Sequence, residues 1–349
     1  TARLRSYWQA PPCARACAHH RQQCLPLAPA APIGTAMDLQ TIVTETWNAL
    51  ADDRGSGNPA RYIPALAAVD PRKFGIAIAT PDGRVAAAGD VDEAFSIQSI
   101  SKVFALALAL EREGSALWDA VGREPSGDAF NSIVQLEKEK GIPRNPFINS
   151  GAIVTTDRFI GNRGVDAAVR DLLDRLRRMG RNPAITFDED VARSESEAGE
   201  RNRALAWFLA DFGRLLNPVE EVLSVYFRQC ALSMSCRQLA ESALFLAFDG
   251  SDPVTGQRMC SASRARRINA LMLLCGHYDN SGQFAFEVGF PGKSGVGGGI
   301  LASVPGRAAI AVWSPGLNRA GTSLLGARAL AEIAQRTGWS VFSGPLPED

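Results

Sequence analysis

The order of the hydrophobic patterns along the chain is the feature that most limits what it can fold into. Short strand-like apolar runs occur near both ends, whereas apolar residues at helical spacing fill the middle. The predicted strands are residues 74–80, 84–88, 283–288, 299–304 and 308–313. The first two flank Pro81, Asp82 and Gly83, a turn sequence that predicts a hairpin. We therefore expect one sheet that takes its strands from both ends of the chain.

Helical periodicity accounts for most of the remaining sequence. The predicted helices are residues 38–51, 99–112, 165–179, 202–212, 219–230, 236–247 and 322–336. The economical assembly is an α/β fold of the α+β kind, with an antiparallel sheet, flanking terminal helices and an inserted helical lobe. We expect the sheet lobe at about residues 37–90 and 260–349, and the helical lobe at about 91–259. A cleft between two such lobes is the expected ligand site.

The charge balance argues against several kinds of partner. Lysine plus arginine and aspartate plus glutamate each number 37, so the formal net charge is zero, and like charges form no block. We therefore expect no nucleic-acid partner and no membrane partner. Apolar runs are too short or too interrupted to cross a bilayer. Residues 102–110, which are apolar but bounded by charges, predict a buried helix.

The first 36 residues are predicted to lie outside the functional domain, which we expect to span 37–349. They are rich in proline, alanine and arginine without periodicity, whereas an amphipathic run follows Met37. We expect a disordered or non-native tail, because the long apolar region of a secretory signal is missing. The cysteines and histidines of this tail (Cys13, Cys17, Cys24, His19, His20) are irregularly spaced for a zinc site. The other cysteines (Cys230, Cys236, Cys260, Cys275) are expected to be buried free thiols.

Several kinds of catalytic apparatus have no candidate residues. Beyond the tail the sequence contains one histidine, His277, so a Ser-His-Asp triad would have to use it. Histidine, cysteine and carboxylate residues are not grouped with the spacing of a metal site, and no glycine-rich phosphate loop lies between a strand and a helix. We therefore expect no metal and no organic cofactor, and a nucleophile would need another base.

Ser99 and Lys102 provide such a pair. Residues three apart lie on one face of a helix, and this pair begins an apolar helix. Packing that helix would desolvate the lysine and lower its pKa, so that a neutral amine could accept the serine proton. The serine N–H, at a helix N-terminus, is also placed to stabilise an oxyanion. Taken alone, the spacing occurs often by chance and favours a solvated surface pair.

A second motif lies near the other end of the chain. Lys293, Ser294 and Gly295 lie between predicted strands and are followed by a glycine-rich run. Lys-[Ser/Thr]-Gly on a strand beside a Ser-x-x-Lys helix is the arrangement of penicillin-binding proteins and β-lactamases. Glycines allow backbone N–H groups to approach a substrate carbonyl. Alone, this motif favours a simple turn, but the two motifs in this order, near opposite ends of the chain, favour the catalytic interpretation.

With these motifs in place, the sequence resembles the serine-dependent glutaminase family, which shares the fold of the β-lactamase group. The similarity runs from about residue 38 to about residue 340. The stretches that carry it are 95–104 (FSIQSISKVF), 145–153 (NPFINSGAI), 194–202 (SESEAGERN), 226–230 (YFRQC), 278–286 (YDNSGQFAF) and 291–299 (PGKSGVGGG). The resemblance implies hydrolysis of L-glutamine to L-glutamate and ammonia, without a metal or cofactor, by a cytoplasmic homodimer or homotetramer.

The resemblance also implies a role for individual positions. Ser99 would be the nucleophile, Lys102 its general base, and Tyr278 an aid to proton transfer. The N–H groups of Ser99 and Val296 would form the oxyanion hole, and Glu195 would bind the substrate ammonium group. The remaining residues implied to contact the substrate are Tyr62, Gln98, Asn149, Asn202 and Tyr226, of which all but Gln98 would hold the α-carboxylate and the side-chain amide.

Simpler interpretations of these residues remain open at this point. Asn149 fits a turn before a glycine, and Glu195 fits a solvated helix face. Tyr62, Tyr226 and Tyr278 fit ordinary packing. Two other functions also remain: a β-lactamase-like or penicillin-interacting serine hydrolase, and a catalytically silent glutamine-binding protein on the same scaffold.

Overall fold

The computed structural model describes residues 37–127 and 131–343. Its helices are α1 Leu39–Ala49, α2 Pro64–Ala67, α3 Ser101–Glu113, α4 Leu117–Ala120, α5 Ile133–Lys138, α6 Asn149–Ile160, α7 Val165–Met179, α8 Glu189–Glu197, α9 Glu200–Asp211, α10 Val219–Cys230, α11 Cys236–Ser242, α12 Leu244–Ala247, α13 Ala262–Cys275, α14 Ser281–Glu287 and α15 Leu324–Thr337. Its strands are β1 Gly75–Ala79, β2 Val85–Gly89, β3 Phe95–Ser96, β4 Thr186–Phe187, β5 Leu232–Met234, β6 Gly292–Ser294, β7 Gly299–Val304 and β8 Ala308–Trp313. The predicted tail and its Cys/His cluster lie outside the described residues.

The main sheet has five strands in the order β2-β1-β8-β7-β6, and every neighbouring pair is antiparallel. The prediction that both ends of the chain build one sheet is therefore confirmed. β1 connects the strands from the N-terminal part of the chain to those from the C-terminal part, because it pairs with β2 on one side and with β8 on the other. The predicted extents of β7 and β8 agree with the structure residue for residue.

The two faces of the sheet differ in side-chain size because they cover different layers. Ile76 and Ile78 of β1, with Ile310 and Val312 of β8, pack on the terminal helices α1 and α15. Alternate positions on the opposite face belong to the core shared with the helical region, and most of them are alanines, such as Ala77. Small residues let α11 approach β1 and β8 closely, as strand alternation allows.

Helix α3 belongs to the buried core of the helical region and directly follows the turn that contains the candidate nucleophile. Every residue from Ser101 to Leu110 is buried, as predicted for a helix without a solvated face. It packs mainly on α6, and its alternating alanines and leucines fill the space between neighbouring elements. A three-residue 3₁₀ turn, Gln98–Ile100, precedes the helix and contains Ser99.

One predicted element has the wrong type. Residues 283–288 were expected to form a strand, but the structure has helix α14 there. Phe284 is buried against His277, whereas Phe286 is 88% exposed, so the alternating aromatics do not mark a sheet face. A short apolar run does not distinguish a strand from a single helical segment.

Other elements differ from the sequence analysis in extent or were not anticipated. The predicted helix at 236–247 is two helices, α11 and α12, separated at Ala243. A small sheet in the order β3-β5-β4 had no prediction, since strands of two or three residues carry too little pattern. Cys230, Cys236, Cys260 and Cys275 are buried free thiols, as predicted. The lobe boundaries stay predictions.

Among the residues that the structure describes, no helix combines the length and the apolar character needed to cross a membrane.

Candidate active site

Nine of the ten residues singled out from the sequence line one cleft with a cavity volume of about 220 Å³. They are Tyr62, Gln98, Ser99, Asn149, Glu195, Asn202, Tyr226, Tyr278 and Val296. The tenth, Lys102, lies behind this surface and reaches it through its hydrogen bond to Asn149. Pockets for drug-sized ligands are roughly 300–1,000 Å³, so this cavity suits a smaller molecule.

Ser99 and Lys102 are both withdrawn from solvent. Ser99 is 9% exposed and Lys102 is 1% exposed, so the interpretation of a solvated surface pair is wrong. The 3₁₀ turn leads directly into α3, which places the lysine one turn after the serine. The apolar helix buries the lysine stem together with Val103 and Phe104, as its sequence predicted.

The Lys102 amine is held by two acceptors. Its Nζ donates to the Phe147 carbonyl at 3.2 Å and to Asn149 Oδ1 at 2.8 Å, and it lies 6.0 Å from the ring centre of Tyr226. Burial lowers the pKa of Lys102 from 10.5 to about 8, against the opposing effect of the nearby Cys230 and Glu195. A substantial fraction of this amine is therefore neutral at a mildly alkaline pH.

Tyr278 contacts the serine from the sheet side of the cleft. Its hydroxyl is hydrogen-bonded to Ser99 and lies 3.5 Å from the Ser294 carbonyl oxygen. Burial raises the pKa of Tyr278 to about 12, despite the lowering effect of these two hydrogen bonds. Its backbone has a φ of 54°, in the left-handed region that a bulky residue seldom adopts. Such strained residues are concentrated at functional sites.

A second buried lysine, Lys293, lies behind Tyr278, and the sequence alone predicts no role for it. Lys293 is fully buried, and its Nζ donates to the carbonyls of Gly276 at 3.0 Å and Ser294 at 2.6 Å. The same nitrogen is 4.6 Å from the ring centre of Tyr278. Burial, and secondarily the charge of Lys102, lower the pKa of Lys293 well below its usual value. Lys293 thus supports the Ser294 carbonyl that faces the tyrosine hydroxyl.

His277 is not part of a triad. It is fully buried, and its ring stacks on Phe284 with centres 3.6 Å apart. Neither ring nitrogen has a hydrogen-bond partner within the described part of the chain. Burial lowers the pKa of His277 well below 6.5, with a further contribution from Lys293. The residue is therefore a neutral core side chain.

The glycine-rich run 295–299 is required by a close backbone approach. A Cβ at Gly295 would lie 2.4 Å from the Ile97 carbonyl oxygen, and one at Gly297 would lie 2.2 Å from that of Ser96. These glycines let the sheet wall lie directly against the segment that carries Ser99. The intervening residue, Val296, thereby reaches the cleft.

Glu195 is buried, so its interpretation as a solvated residue is wrong, whereas Glu197 is exposed. Burial raises the pKa of Glu195 from 4.5 to about 7, against the opposing effects of a hydrogen bond from Gln98 and the charge of Lys102. Gln98 also donates to Ser96 Oγ at 3.0 Å and has a left-handed φ of 50°. A strained, buried amide therefore links the serine turn to the carboxylate.

The remaining polar groups form a network around the lysine. Asn149 accepts from Lys102 through Oδ1 and donates from Nδ2 to Asn202 Oδ1 at 2.9 Å. Asn149 opens α6, so it is not only a turn residue. Tyr226 is 2% exposed and forms the floor, whereas Tyr62 is 60% exposed and lies at the rim.

Five other residues line the cleft and were not named as site residues: Ile63, Asn131, Ala198, Arg201 and Cys230. Arg201 and Cys230 fall inside the stretches 194–202 and 226–230 that carried the resemblance, which was a signal available from sequence. In the described ranges, histidine, cysteine and carboxylate side chains form no group of three or more suited to a metal ion.

A Ser-x-x-Lys helix facing a Lys-Ser-Gly strand at the edge of an antiparallel sheet defines a protein of the β-lactamase-like fold with the layout of a serine hydrolase. The chain belongs to the glutaminase family: the family model described as "Glutaminase" matches residues 57–342.

Individual relatives agree with this membership. A glutaminase from Rhizobium etli (strain CIAT 652) is 60% identical over 305 residues, which are 87% of this chain and 99% of that protein. A glutaminase from Agrobacterium fabrum is 56% identical over the same shares of both chains. Among solved structures, "Probable glutaminase ybaS" has a TM-score of 0.83 and 39% identity, covering 88% of this chain and 98% of that one. A probable glutaminase from Bacillus subtilis has a TM-score of 0.78 and 35% identity, covering 87% and 96%.

Proposed function

We propose that this chain hydrolyses the side-chain amide of L-glutamine to L-glutamate and ammonia, with Ser99 as the nucleophile and Lys102 as its base. Family membership supports the reaction. The observation that carries the mechanism is the hydrogen bonding of Lys102. A neutral amine has two N–H groups and one lone pair, and both hydrogens have acceptors, at Phe147 and Asn149. The lone pair is left to accept the proton of Ser99.

The first chemical step forms an acyl-enzyme. Ser99 Oγ attacks the amide carbon while its proton passes to Lys102, and the N–H groups of Ser99 and Val296 stabilise the oxyanion. Tyr278, hydrogen-bonded to the serine, helps to deliver that proton to the leaving nitrogen. The C–N bond breaks, ammonia leaves, and a glutamyl ester of Ser99 remains.

The second step regenerates the serine. Water attacks the ester carbon, Lys102 takes its proton, and Ser99 leaves as the alcohol with a proton returned by the same groups. Glutamate is released, and the overall balance is one glutamine and one water for one glutamate and one ammonia. No electron transfer is involved, so the reaction needs no redox cofactor.

Substrate recognition is divided between charged and neutral groups. Glu195 binds the α-ammonium group, and that cation favours the ionised carboxylate despite its raised pKa. Gln98 holds Glu195 in place and contacts the substrate. The α-carboxylate and side-chain amide are held by Asn149, Asn202, Tyr62 and Tyr226, whose polar atoms add no net charge.

The test is release of ammonia and glutamate from L-glutamine, in equal amounts, by the purified chain. Ser99→Ala is expected to abolish release, whereas Ser115→Ala, at an exposed serine outside the cleft, is expected to have no effect. Calorimetric binding of glutamine to Ser99→Ala shows that the site survives. Binding without release by the unaltered chain would instead identify a silent binding protein. Loss of activity on adding a chelator would contradict the metal-free mechanism.

We also propose a cytoplasmic homodimer or homotetramer, on the strength of the family resemblance. Light scattering of the purified chain is expected to give two or four times the chain mass of 37.3 kDa. Cell fractionation is expected to recover the activity with the cytoplasmic fraction.

A further inference from the structure

The proposed substrate is a zwitterion, with an ammonium group and a carboxylate. The residues assigned above to substrate binding provide a permanent charge for only one of these two groups. Glu195 meets the ammonium group, whereas the groups assigned to the α-carboxylate are amides and phenols. Lys102 cannot serve as the permanent counter-charge, because it must be neutral when it acts as the base. The carboxylate therefore lacks a cationic partner among the residues assigned so far.

Arg201 is the residue of the cleft lining that can provide this charge. It is the second residue of α9, and the next residue, Asn202, belongs to the network that includes Asn149. Its side chain is exposed and lines the cleft, on the same short segment as Glu195. Arginine is always protonated and matches a carboxylate with a planar pair of donors.

Two neighbouring arginines show that this position differs from an ordinary surface cation. Arg203 donates to the carbonyl and the hydroxyl of Ser196, and Arg193 pairs with Asp190 at 3.1 Å. Within the described ranges, Arg201 forms no ion pair or hydrogen bond. Of these three cations it alone lines the cleft and has donors available for a ligand.

We infer that Arg201 binds the α-carboxylate of free glutamine at the mouth of the cleft, opposite in charge to Glu195. This inference rests on the proposed function. It makes the site specific for the free amino acid. Glutamine at the N-terminus of a peptide has no α-carboxylate, and glutamine at the C-terminus has no free ammonium group, so each loses one of the two ion pairs.

The experiment compares wild-type enzyme with Arg201→Gln, Arg201→Lys and the control Arg193→Gln, which removes the same charge from a side chain outside the cleft. The KM for L-glutamine is expected to rise about tenfold in Arg201→Gln, corresponding to the loss of one charge-assisted contact. The value of kcat is expected to change less than about twofold, since the contact is the same in ground and transition states. Arg201→Lys should recover part of the loss, and Arg193→Gln should resemble wild type.

A substrate analogue tests whether the carboxylate is the group that Arg201 contacts. L-Glutaminamide, in which a neutral amide replaces the α-carboxylate, is measured as a competitive inhibitor by following glutamate release from glutamine. Its inhibition constant is expected to be nearly the same in wild type and Arg201→Gln. The inference is overturned if Arg201→Gln leaves the KM for glutamine unchanged, or if it weakens glutamine and glutaminamide equally. If the wild-type enzyme releases no ammonia from glutamine, the proposed function fails instead, before Arg201 is tested.

Discussion

The two walls of the cleft have different chemical roles. The helical wall, made by Lys102, Asn149, Glu195, Asn202 and Tyr226, presents polar side chains, of which the lysine and the two asparagines are hydrogen-bonded in a chain. The sheet wall, made by Tyr278, Lys293 and the run 295–299, presents backbone groups brought close by glycine. The first suits recognition and proton transfer, because side chains can carry charge. The second suits an oxyanion, because backbone N–H groups are fixed by the fold and need not reorganise.

Each wall contains a buried lysine, and comparing them shows why only one suits a base. Lys102 is one turn from Ser99, and burial brings its pKa to about 8, so it changes protonation near physiological pH. Lys293 donates to two carbonyls and packs on the face of Tyr278, and burial lowers its pKa well below the usual value. Because its hydrogen bonds go to backbone carbonyls on the far side of Tyr278, Lys293 acts as a fixed support for the Ser294 carbonyl.

Replacing the base should have the largest effect. Lys102→Met keeps an unbranched side chain in the buried site but removes the amine, and we expect kcat to fall by at least about a thousandfold, as for other groups that act with a nucleophile. Lys102→Ala is also expected to lose turnover with the fold retained. Thermal melting of both variants checks the fold. Wild-type-like turnover in a folded variant would show that Lys102 is not the base. It would also contradict the difference in role proposed for the two lysines.

The sheet wall can be tested through its closest backbone contact. A methyl group at Gly295 would meet the Ile97 carbonyl oxygen at 2.4 Å, so Gly295→Ala must move the wall away from the serine turn. We expect kcat to fall about a hundredfold as the Val296 N–H shifts, with about 1–3 kcal/mol of stability lost to overpacking.

The matched control for that variant is Gly282→Ala, at a glycine of α14 that has no atom within 4 Å of the added methyl group. It should leave activity unchanged and stabilise the chain slightly, because alanine favours a helix over glycine. If Gly295→Ala behaves like Gly282→Ala, the fixed backbone of the sheet wall does not contribute to catalysis.

The sequence predicted the helical wall better than the sheet wall, for a physical reason. Ser99 and Lys102 are separated by a helical repeat on a run of apolar residues, so their proximity and burial both followed from local pattern. The wall opposite depends on long-range contacts. Gly295 approaches Ile97 across nearly two hundred residues of chain, and Lys293 packs on the ring of Tyr278, which belongs to a different element. Spacing along the sequence does not show which elements the fold brings together, so Lys293 received no role.

The fold shows the same division. β7, β8 and α10 were predicted with the extents that they have, because each is a strongly patterned apolar run. The prediction of a strand at α14 is wrong because its alternating aromatics resemble a sheet face, and the small sheet β3-β5-β4 had no prediction because strands of two or three residues carry too little pattern. Arg201 received no role for a different reason: it lies inside the stretch 194–202 that carried the resemblance, but only the fold shows that it lines the cleft.

Removing the charge of the helical wall should mainly weaken binding. Glu195→Gln keeps the shape but not the ion pair with the substrate ammonium group, and we expect KM to rise about 10- to 100-fold, in line with about 1.5–3 kcal/mol for a charge-assisted hydrogen bond. The wild-type KM should fall as pH rises through about 7, where Glu195 ionises, and this dependence should disappear in the variant. Normal affinity in Glu195→Gln would overturn its assignment to the ammonium group.

Glu195 also makes the stability of the folded protein depend on pH, in a direction that follows from its raised pKa. The folded protein raises the pKa of Glu195 from 4.5 to about 7, so the native state holds this proton more tightly than the unfolded state. The stability that this provides is fully present below pH 4.5 and is lost as pH rises through 7. Denaturant titrations should therefore show Glu195→Gln gaining stability relative to wild type between those values.

The smallest expected effect belongs to His277, the residue before Tyr278 of the sheet wall, and has the opposite sign. His277 is buried and neutral when folded, and its pKa is lowered well below the unfolded value of 6.5. The unfolded chain therefore takes up a proton first as pH falls, so the stability due to the neutral histidine is complete above 6.5 and declines below it. The slope is at most about 1.4 kcal/mol per pH unit for one proton. His277→Leu removes the titrating ring, so its stability curve should lack this slope, and the slope should appear in the difference between the wild-type and variant curves. If the curves of wild type and variant stay parallel from pH 7.5 to 5.5, His277 is not held neutral. Water then reaches the His277 ring, although neither ring nitrogen has a hydrogen-bond partner in the described part of the chain.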